Sequence, residues 1–195
     1  MGSRESILAK LKANKPEAID LPKIDLNVFN EDLDLIKEFT KKVEIVGGSV
    51  IEISNDEEVL THLKKTFPNT KINFSNLDNT QSFNTIDLST IKNPRNLEDL
   101  DVLVLESKIG VAENGAVWLD DNDIPIRVLP FITKHLAIVI SKNNLVPYMH
   151  EAYKSLSNHN SSYGVFLSGP SKTADIEQSL VIGAHGALSL TVFLK

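Results

Sequence analysis

The stretch SGPSKTADIEQSLVIGAHG, residues 168–186, decides the fold that the sequence predicts, because a turn and then a periodic apolar pattern follow a strand-like segment. That segment, YGVFL at residues 163–167, is rich in β-forming residues and predicts a strand. Gly169 and Pro170 then favour a turn. Four apolar residues have spacings that fit one face of a helix, namely Ala174, Ile176, Leu180 and Val181. We therefore expect a strand, a tight turn and a helix in succession.

The start of this predicted helix has the chemistry of an anion site. Ser171 is placed as an N-cap, so the free amide groups of the first helical turn can point at a phosphate or a carboxylate, and Lys172 adds positive charge. Asp175 and Glu177 leave an alternative open, because acidic residues in a first helical turn also stabilise a purely structural helix. The ligand-binding candidates of this segment are Ser168, Gly169, Ser171, Lys172, Thr173, Asp175 and Glu177.

The same stretch resembles the signature that closes the domain of the LUD family, the lactate-utilisation protein C family. Three upstream runs resemble segments of that family in the same order: SRESILAKLK (residues 3–12), GVAENGAVWL (residues 110–119) and LPFITKHLAIVI (residues 129–140). The chain departs from the family pattern at Asn114, where threonine is usual, and at Ala116, where a small hydroxyl residue is usual. The resemblance covers nearly the whole chain and is weak in the middle.

This resemblance implies a fold and a role. LUD domains are similar in fold to ribose-5-phosphate isomerase, glucosamine-6-phosphate deaminase and the CoA transferases, and open α/β sheets generally bind ligands at strand ends. The resemblance also implies the cysteine-free component of a bacterial L-lactate utilisation system, which oxidises L-lactate to pyruvate with iron–sulfur redox partners. In that role the chain would bind a small organic or phosphorylated anion, or hold the redox subunits together. Its cofactor, if it has one, is unknown.

Glu113 is the carboxylate that stands out by position, because Glu113-Asn114-Gly115 lies between two predicted strands. Asn114 and Gly115 are ligand-binding candidates, since a glycine permits close approach of the backbone to a ligand. In CoA transferases of the related fold, the nucleophilic glutamate occupies a similar Glu-Asn-Gly turn, so the resemblance implies covalent catalysis by Glu113. Asn-Gly is also the commonest signal of a plain hairpin turn. Two other functions therefore stay open: an autonomous CoA-transferase-like or phosphosugar-isomerase-like enzyme that uses Glu113, and a module that senses a small anion.

Three more side chains are candidates for chemistry. His135 precedes an apolar strand and His185 stands between glycines at the end of the predicted helix, and both can act as acid or base near neutral pH. The helix dipole explains His185 equally well. Arg127 lies in a predicted strand, pointing away from its apolar neighbours, where it binds a carboxylate bidentately or is simply solvated.

The sequence indicates no metal site. The five histidines show no close ligand spacing such as a helical His-x-x-x-His. The acidic run at residues 120–123 lacks the glycine and the ligand spacing of an EF-hand loop, so a turn is the better interpretation. The chain contains no cysteine, so it has no thiolate to hold an iron–sulfur cluster.

The charge and the composition of the chain argue against some classes of binding partner. The net charge is −6 and there is no basic run, which argues against nucleic acid and against anionic membrane surfaces. No apolar stretch approaches the roughly 20 residues that span a bilayer, and the charged N-terminus has no signal-peptide core. We therefore expect a cytoplasmic protein. Apolar residues in an N-terminal arm indicate an interface, so a homo-oligomer is possible.

The remaining pattern predicts an α/β fold: an open Rossmann-like mixed sheet with helices on both faces and an N-terminal helical arm. We expect two parts, a helix and arm at residues 1–29 and a LUD-type α/β domain at residues 30–195. A polar segment at residues 75–96 is expected to form a long loop over a site. The expected strands are residues 49–53, 70–74, 101–107, 116–119, 124–131, 136–140, 163–167 and 188–194. The expected helices after the arm begin near residues 30, 55, 145 and 172.

Overall fold

The chain divides into two compact units, Met1–Asp32 and Leu33–Lys195. The computed structural model describes residues 2–17, 19–20, 22, 25–29, 32–78, 80–174 and 180–195. In the first unit, the predicted N-terminal helix is present as α1 (Ser3–Ala13). The Glu5 carboxylate accepts a hydrogen bond from the Gly2 amide at 3.1 Å, which pairs a donor that would otherwise be free.

The second unit alternates strands and helices. Its helices are α2 (Leu35–Ile45), α3 (Asp56–Thr66), α4 (Leu129–Ile132) and α5 (Met149–Leu156). Its strands are β1 (Ser49–Glu52), β2 (Asn73–Ser75), β3 (Val102–Ser107), β4 (Gly110–Val111), β5 (Ala116–Asp120), β6 (His135–Ile140), β7 (Leu145–Val146), β8 (Gly164–Leu167), β9 (Lys172–Ala174), β10 (Leu180–Ile182) and β11 (Ser189–Leu194). Short 3-10 helices occur at Gln81–Phe83, Leu88–Thr90, Pro94–Leu97 and Lys142–Asn144.

The central sheet is parallel, with strand order β1-β11-β6-β3-β2. Its inner strands β3, β6 and β11 are nearly continuous apolar runs, as expected for strands that are covered on both faces. Alternate side chains of these strands enter two separate cores. Phe39 and Val43 of α2 pack on one face, whereas Val59 and Leu63 of α3 pack on the other. The predicted α/β class with helices on both faces is therefore confirmed.

Four strands form a second, smaller sheet with order β7-β4-β5-β8. In it β5 pairs antiparallel with β4 and β8, and β7 pairs parallel with β4; of the four, only β5 and β8 were predicted. The hairpin β4–β5 contains the Asn114-Gly115 turn, and Gly115 has φ +69°, a conformation that favours glycine. Val117 and Leu119 of β5 belong to the same core as α2, and Trp118 packs with α5 on the opposite side. The core that contains α2 thus joins the two sheets.

The prediction of a helix after Ser171 is wrong. β9 and β10 pair antiparallel as a hairpin instead, with Lys172 opposite Ile182. One contact and one backbone feature explain the difference: the Ser171 carbonyl accepts from the Gly183 amide at 3.0 Å, and Gly169 and Gly183 have φ +76°. These tertiary constraints override the apolar spacing, and β-branched residues such as Val181 fit a strand. Ile176, Asp175 and Glu177 lie outside the described residues.

Two other elements differ from expectation. The strand expected at residues 124–131 is a turn followed by α4, because the Asp120 carbonyl accepts the Ile124 amide and Pro130 suits the first turn of a helix. The helix expected from residue 145 begins only with α5, after the short strand β7 and Pro147.

One helix starts a few residues later than expected: α2 is capped by Asp34, whose carboxylate accepts the Lys37 amide, and not near residue 30. The helix expected near residue 55 starts there, because Asn55 caps α3. No helix within the described ranges is long and apolar enough to cross a membrane.

Candidate functional site

Five of the sequence-predicted site residues meet around the C-terminal end of α2. They are Asn114, Gly115, Ser168, Gly169 and Lys172, and we refer to them as the motif cluster. The Ser168 hydroxyl donates to the Asn114 carbonyl at 2.7 Å, which ties the start of the 168–186 segment to the β4–β5 turn. The Asn114 side chain in turn accepts the Ala116 amide at 3.0 Å.

The two glycines of the motif cluster pack directly against the backbone that ends α2. A Cβ on Gly115 would lie 2.7 Å from the Val43 amide nitrogen, and a Cβ on Gly169 would lie 2.7 Å from the Val46 carbonyl oxygen. Both residues also have positive φ. Only glycine fits such close approaches without strain, so the motif cluster is built first of all by backbone packing.

Lys172 lies beside the same helix end. Its Nζ is 3.1 Å from the point that a Cβ on Gly47 would occupy, just past the last turn of α2. The C-terminal end of a helix carries partial negative charge and favours a cation. Among the described residues, no carboxylate lies within salt-bridge distance of Lys172, although Asp175 and Glu177 are outside those ranges. The ammonium is therefore held at the opposite kind of helix end from the one that the sequence predicted.

Ser171 uses its backbone within the protein. Its amide donates to the Ala187 carbonyl at 2.9 Å and its carbonyl accepts the Gly183 amide at 3.0 Å. There is no free helix N-terminus at this position, so the amide cradle expected for an anion is absent from the described backbone of residues 168–174. Thr173 lies in β9, opposite Val181.

Glu113 adjoins the motif cluster and contacts another helix. Its Oε2 accepts the Met149 amide at 2.9 Å, and its own amide donates to the Pro147 carbonyl at 2.9 Å. Met149 is the first residue of α5, so the carboxylate pairs a free amide at the helix start and faces the positive end of the helix; Tyr148, the N-cap residue, makes no side-chain capping hydrogen bond. The hairpin turn that the sequence predicted is confirmed, and the contact with α5 is a structural role that the sequence did not indicate.

His135 lies at the amino end of β6, in a different group of residues. Its Nδ1 lies 2.9 Å from the Ser189 hydroxyl, and its ring stacks on Phe67 with the ring centroids 3.8 Å apart. Burial lowers the pKa of His135, so its neutral form is favoured. His135 and the motif cluster therefore make separate contacts, and the structure does not bring these candidates together.

His185 and Arg127 also differ from expectation. His185 is exposed in the turn between β10 and β11, where no helix ends, so the dipole explanation does not apply. Arg127 donates to both oxygens of Asp121, at 2.7 and 2.8 Å, and its guanidinium lies 4.9 Å from the centre of the Tyr163 ring. The hydrogen bond from Arg127 lowers the pKa of Asp121. The bidentate carboxylate partner is therefore supplied by the chain itself.

Sequence reasoning missed a pair formed by the buried Asp120 and the exposed His159. The Asp120 carboxylate is fully buried and bonds to His159 Nε2, to the Asn122 amide and to the Trp118 indole. Burial opposes ionisation, but these hydrogen bonds outweigh it and lower the pKa of Asp120. His159 and Tyr153 help to line a cavity of about 220 Å³ beside the pair. No local pattern signals a contact between residues so far apart in sequence.

Among the residues that the structure describes, no group of three or more histidine, aspartate or glutamate side chains is arranged to hold a metal ion. The cavities next to candidate residues are small. The one beside Asp101 and Lys134, at the amino edge of the parallel sheet, has about 430 Å³. Asp101 itself is saturated, because it accepts the amides of Lys71 and Ile72 and the Lys134 ammonium.

The sequence and the fold have relatives among known proteins. Residues 79–194 match the family model described as the LUD domain. Lactate utilization protein C of Geobacillus sp. (strain WCH70) is 28% identical over 204 residues, which cover 97% of this chain and 78% of that protein. Lactate utilization protein C 1 of Bacillus mycoides (strain KBAB4) is 25% identical, covering 92% of this chain and 89% of that protein.

Two further matches are limited, one by the length that is aligned and the other by low sequence identity. Lactate utilization protein C of Oceanobacillus iheyensis is 34% identical over 100 residues, which span 48% of this chain and 43% of that relative, less than half of its length. The crystal structure of a DUF162 family protein from Deinococcus radiodurans matches with a TM-score of 0.65 at 15% identity, over 83% of this chain and 96% of that one. That likeness concerns the fold alone. Because the family match covers more than half of the 195 residues, the chain belongs to the LUD domain family.

Proposed function

We propose that the protein is a cytoplasmic component of a bacterial L-lactate utilisation system and acts with iron–sulfur partner proteins. One observation carries this proposal. Two relatives named lactate utilization protein C align with 97% and 92% of the chain, so the similarity extends well beyond the segment at residues 168–186.

The chemistry of lactate oxidation supports a division of labour. Conversion of L-lactate to pyruvate releases two protons and two electrons, and the electrons need an acceptor. The 195 residues contain no cysteine, so they supply no thiolate ligands for an iron–sulfur cluster. Partner proteins with clusters would take the electrons, and this chain would bind the organic anion or position the redox subunits.

Complementation tests the role. In a bacterial strain whose growth on L-lactate is lost when its own lactate utilization protein C is deleted, we expect expression of this chain to restore that growth. Growth on succinate serves as the control and should not change. If the chain accumulates to normal levels and growth on L-lactate is not restored, the proposed role is wrong.

Co-purification tests the partners. An affinity-tagged form of the chain is purified under mild conditions from its native cells grown on L-lactate. We expect cysteine-rich iron–sulfur proteins to co-purify with it in near-stoichiometric amounts. Recovery of the chain alone, under conditions in which a tagged iron–sulfur protein does recover its known partners, would contradict the partnership.

An anion site at Lys172 would differ from the one that the sequence predicts. Lys172 was expected to act with a helix N-terminus, and that helix is replaced by the β9–β10 hairpin. The exposed Lys172 ammonium is what remains of the predicted site within the motif cluster. If it binds L-lactate or pyruvate, Lys172→Ala will weaken that binding.

A further inference from the structure

The N-terminal helix α1 exposes large apolar side chains along one face. Ile7 is 56% exposed, Leu8 45% and Leu11 65%, and no residue of α1 is buried. Residues three and four apart are neighbours on a helix surface, so Leu11 adjoins both Leu8 and Ile7. We call these three residues the α1 stripe.

A helix as short as α1 needs a surface to pack against. It has 11 residues, and isolated helices shorter than about 12–15 residues are only marginally stable in water. Most helical stability in proteins comes instead from packing of an apolar face. A protein surface that covers the α1 stripe would therefore stabilise the helix.

The charge of α1 indicates which kind of surface suits it. The helix contains three basic residues, Arg4, Lys10 and Lys12, and one acidic residue, Glu5. The Glu5 carboxylate is used within the helix, where it accepts a backbone amide. Lys10 and Lys12 precede and follow Leu11, so they lie on the two sides of the α1 stripe. An acidic surface with an apolar centre is complementary to this face, whereas a second α1 would bring like charges together.

The unit Leu33–Lys195 carries a cavity of this character beside the start of α3. We call it the acidic cavity; its volume is about 370 Å³, and its walls include Glu57, Leu60 and Asp78. Leu60 is half-buried and supplies an apolar wall, whereas Glu57 and Asp78 are exposed. Among the described residues, no basic group lies within salt-bridge distance of Glu57 or Asp78. Both carboxylates are therefore available to a cation from outside this part of the chain.

The fixed charges around the acidic cavity are negative on balance. Asp56, Glu57 and Glu58 lie in the first turn of α3, and the Asp56 carboxylate is paired with Lys195 at 2.9 Å. The positive end of a helix is equivalent to only about half an elementary charge. Glu57, Glu58 and Asp78 outweigh that charge, so the cavity attracts basic side chains.

We propose that α1 of one copy docks in the acidic cavity of a second copy, with the α1 stripe against Leu60 and with Lys10 and Lys12 at Glu57 and Asp78. Each copy carries both parts, so a two-fold pair makes this contact twice and closes as a homodimer. The contact is small and partly electrostatic, so the dimer is reversible and is weakened by salt. This inference does not rest on the proposed function.

The mass of the unmodified chain in solution gives the first test. Analytical ultracentrifugation between about 1 and 100 μM should show the mass rising from the 21.6 kDa of one chain toward twice that value. About 0.5 M salt should weaken the association about fivefold. Leu11→Ser should weaken it about tenfold. The matched control is Ile19→Ser, which changes a 91% exposed apolar residue outside α1 and should have an effect of less than about twofold.

Charge reversal locates the contact. The double variant Lys10→Glu/Lys12→Glu should weaken the association about tenfold or more, and so should the double variant Glu57→Lys/Asp78→Lys. An equimolar mixture of the two variants should restore it to within about threefold of the unmodified protein, because every α1 then meets a cavity of opposite charge. Restoration by mixing requires that α1 and the acidic cavity come from different copies.

A matched control separates local charge from net charge. Glu98→Lys/Asp99→Lys changes the net charge by the same amount as the cavity variant, at exposed residues that do not line the acidic cavity. This control should change the association less than about twofold. All of the substituted side chains are exposed, so we expect the α/β domain to fold as before.

Three outcomes would overturn the inference: the mass of a single chain at every concentration, a dimer that Leu11→Ser does not weaken, or charge-reversed variants that do not associate when mixed. The last result would show that a dimer, if present, uses another surface. None of these outcomes bears on the complementation experiment. If the chain restores growth on L-lactate and remains a monomer, the dimer is wrong and the proposed function stands.

Discussion

The motif cluster and the cavity beside β2, the edge strand of the parallel sheet, differ in how the sequence marks them; we call this cavity the edge cavity. Residues 168–186 carry the segment by which the family resemblance is noticed, and the contacts that the structure describes there come largely from glycine packing and backbone pairing. The edge cavity is bordered by a polar segment without a motif, and its walls combine Lys64 with the rings of Phe67 and Phe83. The comparison teaches that a recognisable sequence need not mark the place where the fold opens a cavity.

The motif side of the comparison is tested by Gly169→Ala, for which we expect the largest loss of stability. Gly169 has φ +76°, and an added Cβ would lie 2.7 Å from the Val46 carbonyl oxygen. We expect the free energy of unfolding to fall by about 3 kcal/mol, from backbone strain and overpacking together. Urea unfolding measures it. The control is Gly2→Ala, where no atom lies within 4 Å of the added Cβ and no change is expected.

The region of the edge cavity is tested by Asp101→Asn. The Asp101 carboxylate accepts the amides of Lys71 and Ile72, which precede β2, and the substitution weakens these contacts. Burial alone would raise the pKa of Asp101, but hydrogen bonds from Lys134 and from the amides of Lys71 and Ile72 lower it to about 2. Because the folded pKa lies below the unfolded value, the stabilisation is present above about pH 5 and is lost as the pH falls toward 2.

We expect Asp101→Asn to lower the free energy of unfolding by about 2 kcal/mol at pH 7, and to flatten its decline between about pH 4 and pH 2. Denaturant unfolding at several pH values is the measurement. Asp99→Asn, which changes an exposed neighbour, is the control. If the free energy of unfolding of the variant falls with pH as it does in the unmodified protein, Asp101 does not hold the residues before β2 in place.

Substitution of Glu113, which adjoins the motif cluster, tests whether its carboxylate is a helix cap or a nucleophile. As the cap of α5 it should contribute about 1 kcal/mol, so Glu113→Ala should lose that amount and Glu113→Gln, which keeps an acceptor oxygen, less. Incubation with acyl-CoA should leave the intact mass unchanged. An adduct that disappears in Glu113→Gln would instead support the CoA-transferase-like enzyme.

His135 gives the smallest expected effect and bears on the ring that walls the edge cavity. Burial lowers the pKa of His135, so the unfolded chain binds a proton more readily than the folded protein does. Stability should therefore be complete above the unfolded pKa and decrease slightly as the pH falls below it. We expect His135→Gln to remove this slope between about pH 7 and pH 5. Unfolding that is equally pH-dependent in both proteins would contradict the assignment.

Much of the fold was predictable because buried parallel strands are continuous apolar runs. The segments DVLVLES, HLAIVI and SLTVFL were recognisable as strands from sequence alone, and they became β3, β6 and β11. The Asn114-Gly115 turn was recognisable because its residue types suit positive φ. The helix after Ser171 was not, since apolar spacing over a short segment fits a helix and a twisted hairpin alike.

The candidate sites were less predictable, because their contacts join distant residues. Arg127 was expected either to bind a carboxylate or to be solvated, and the sequence did not show that it would pair with Asp121 and Ser162. His159 and Asp120 meet across 39 positions of sequence. No residue type or spacing indicates that Glu57 and Asp78 border one cavity.

The sequence by itself determined the α/β class, the main buried strands, the tight turns at glycine and the family resemblance. These properties depend on local preferences and on hydrophobic periodicity, which are written into neighbouring residues. The tertiary structure decided which helix end Lys172 meets, that Glu113 caps α5, and that Lys64, Asn73 and Phe83 share one cavity. Such choices depend on the packing of segments far apart in the chain, where a few ångströms determine whether a polar group is paired, buried or available to a ligand.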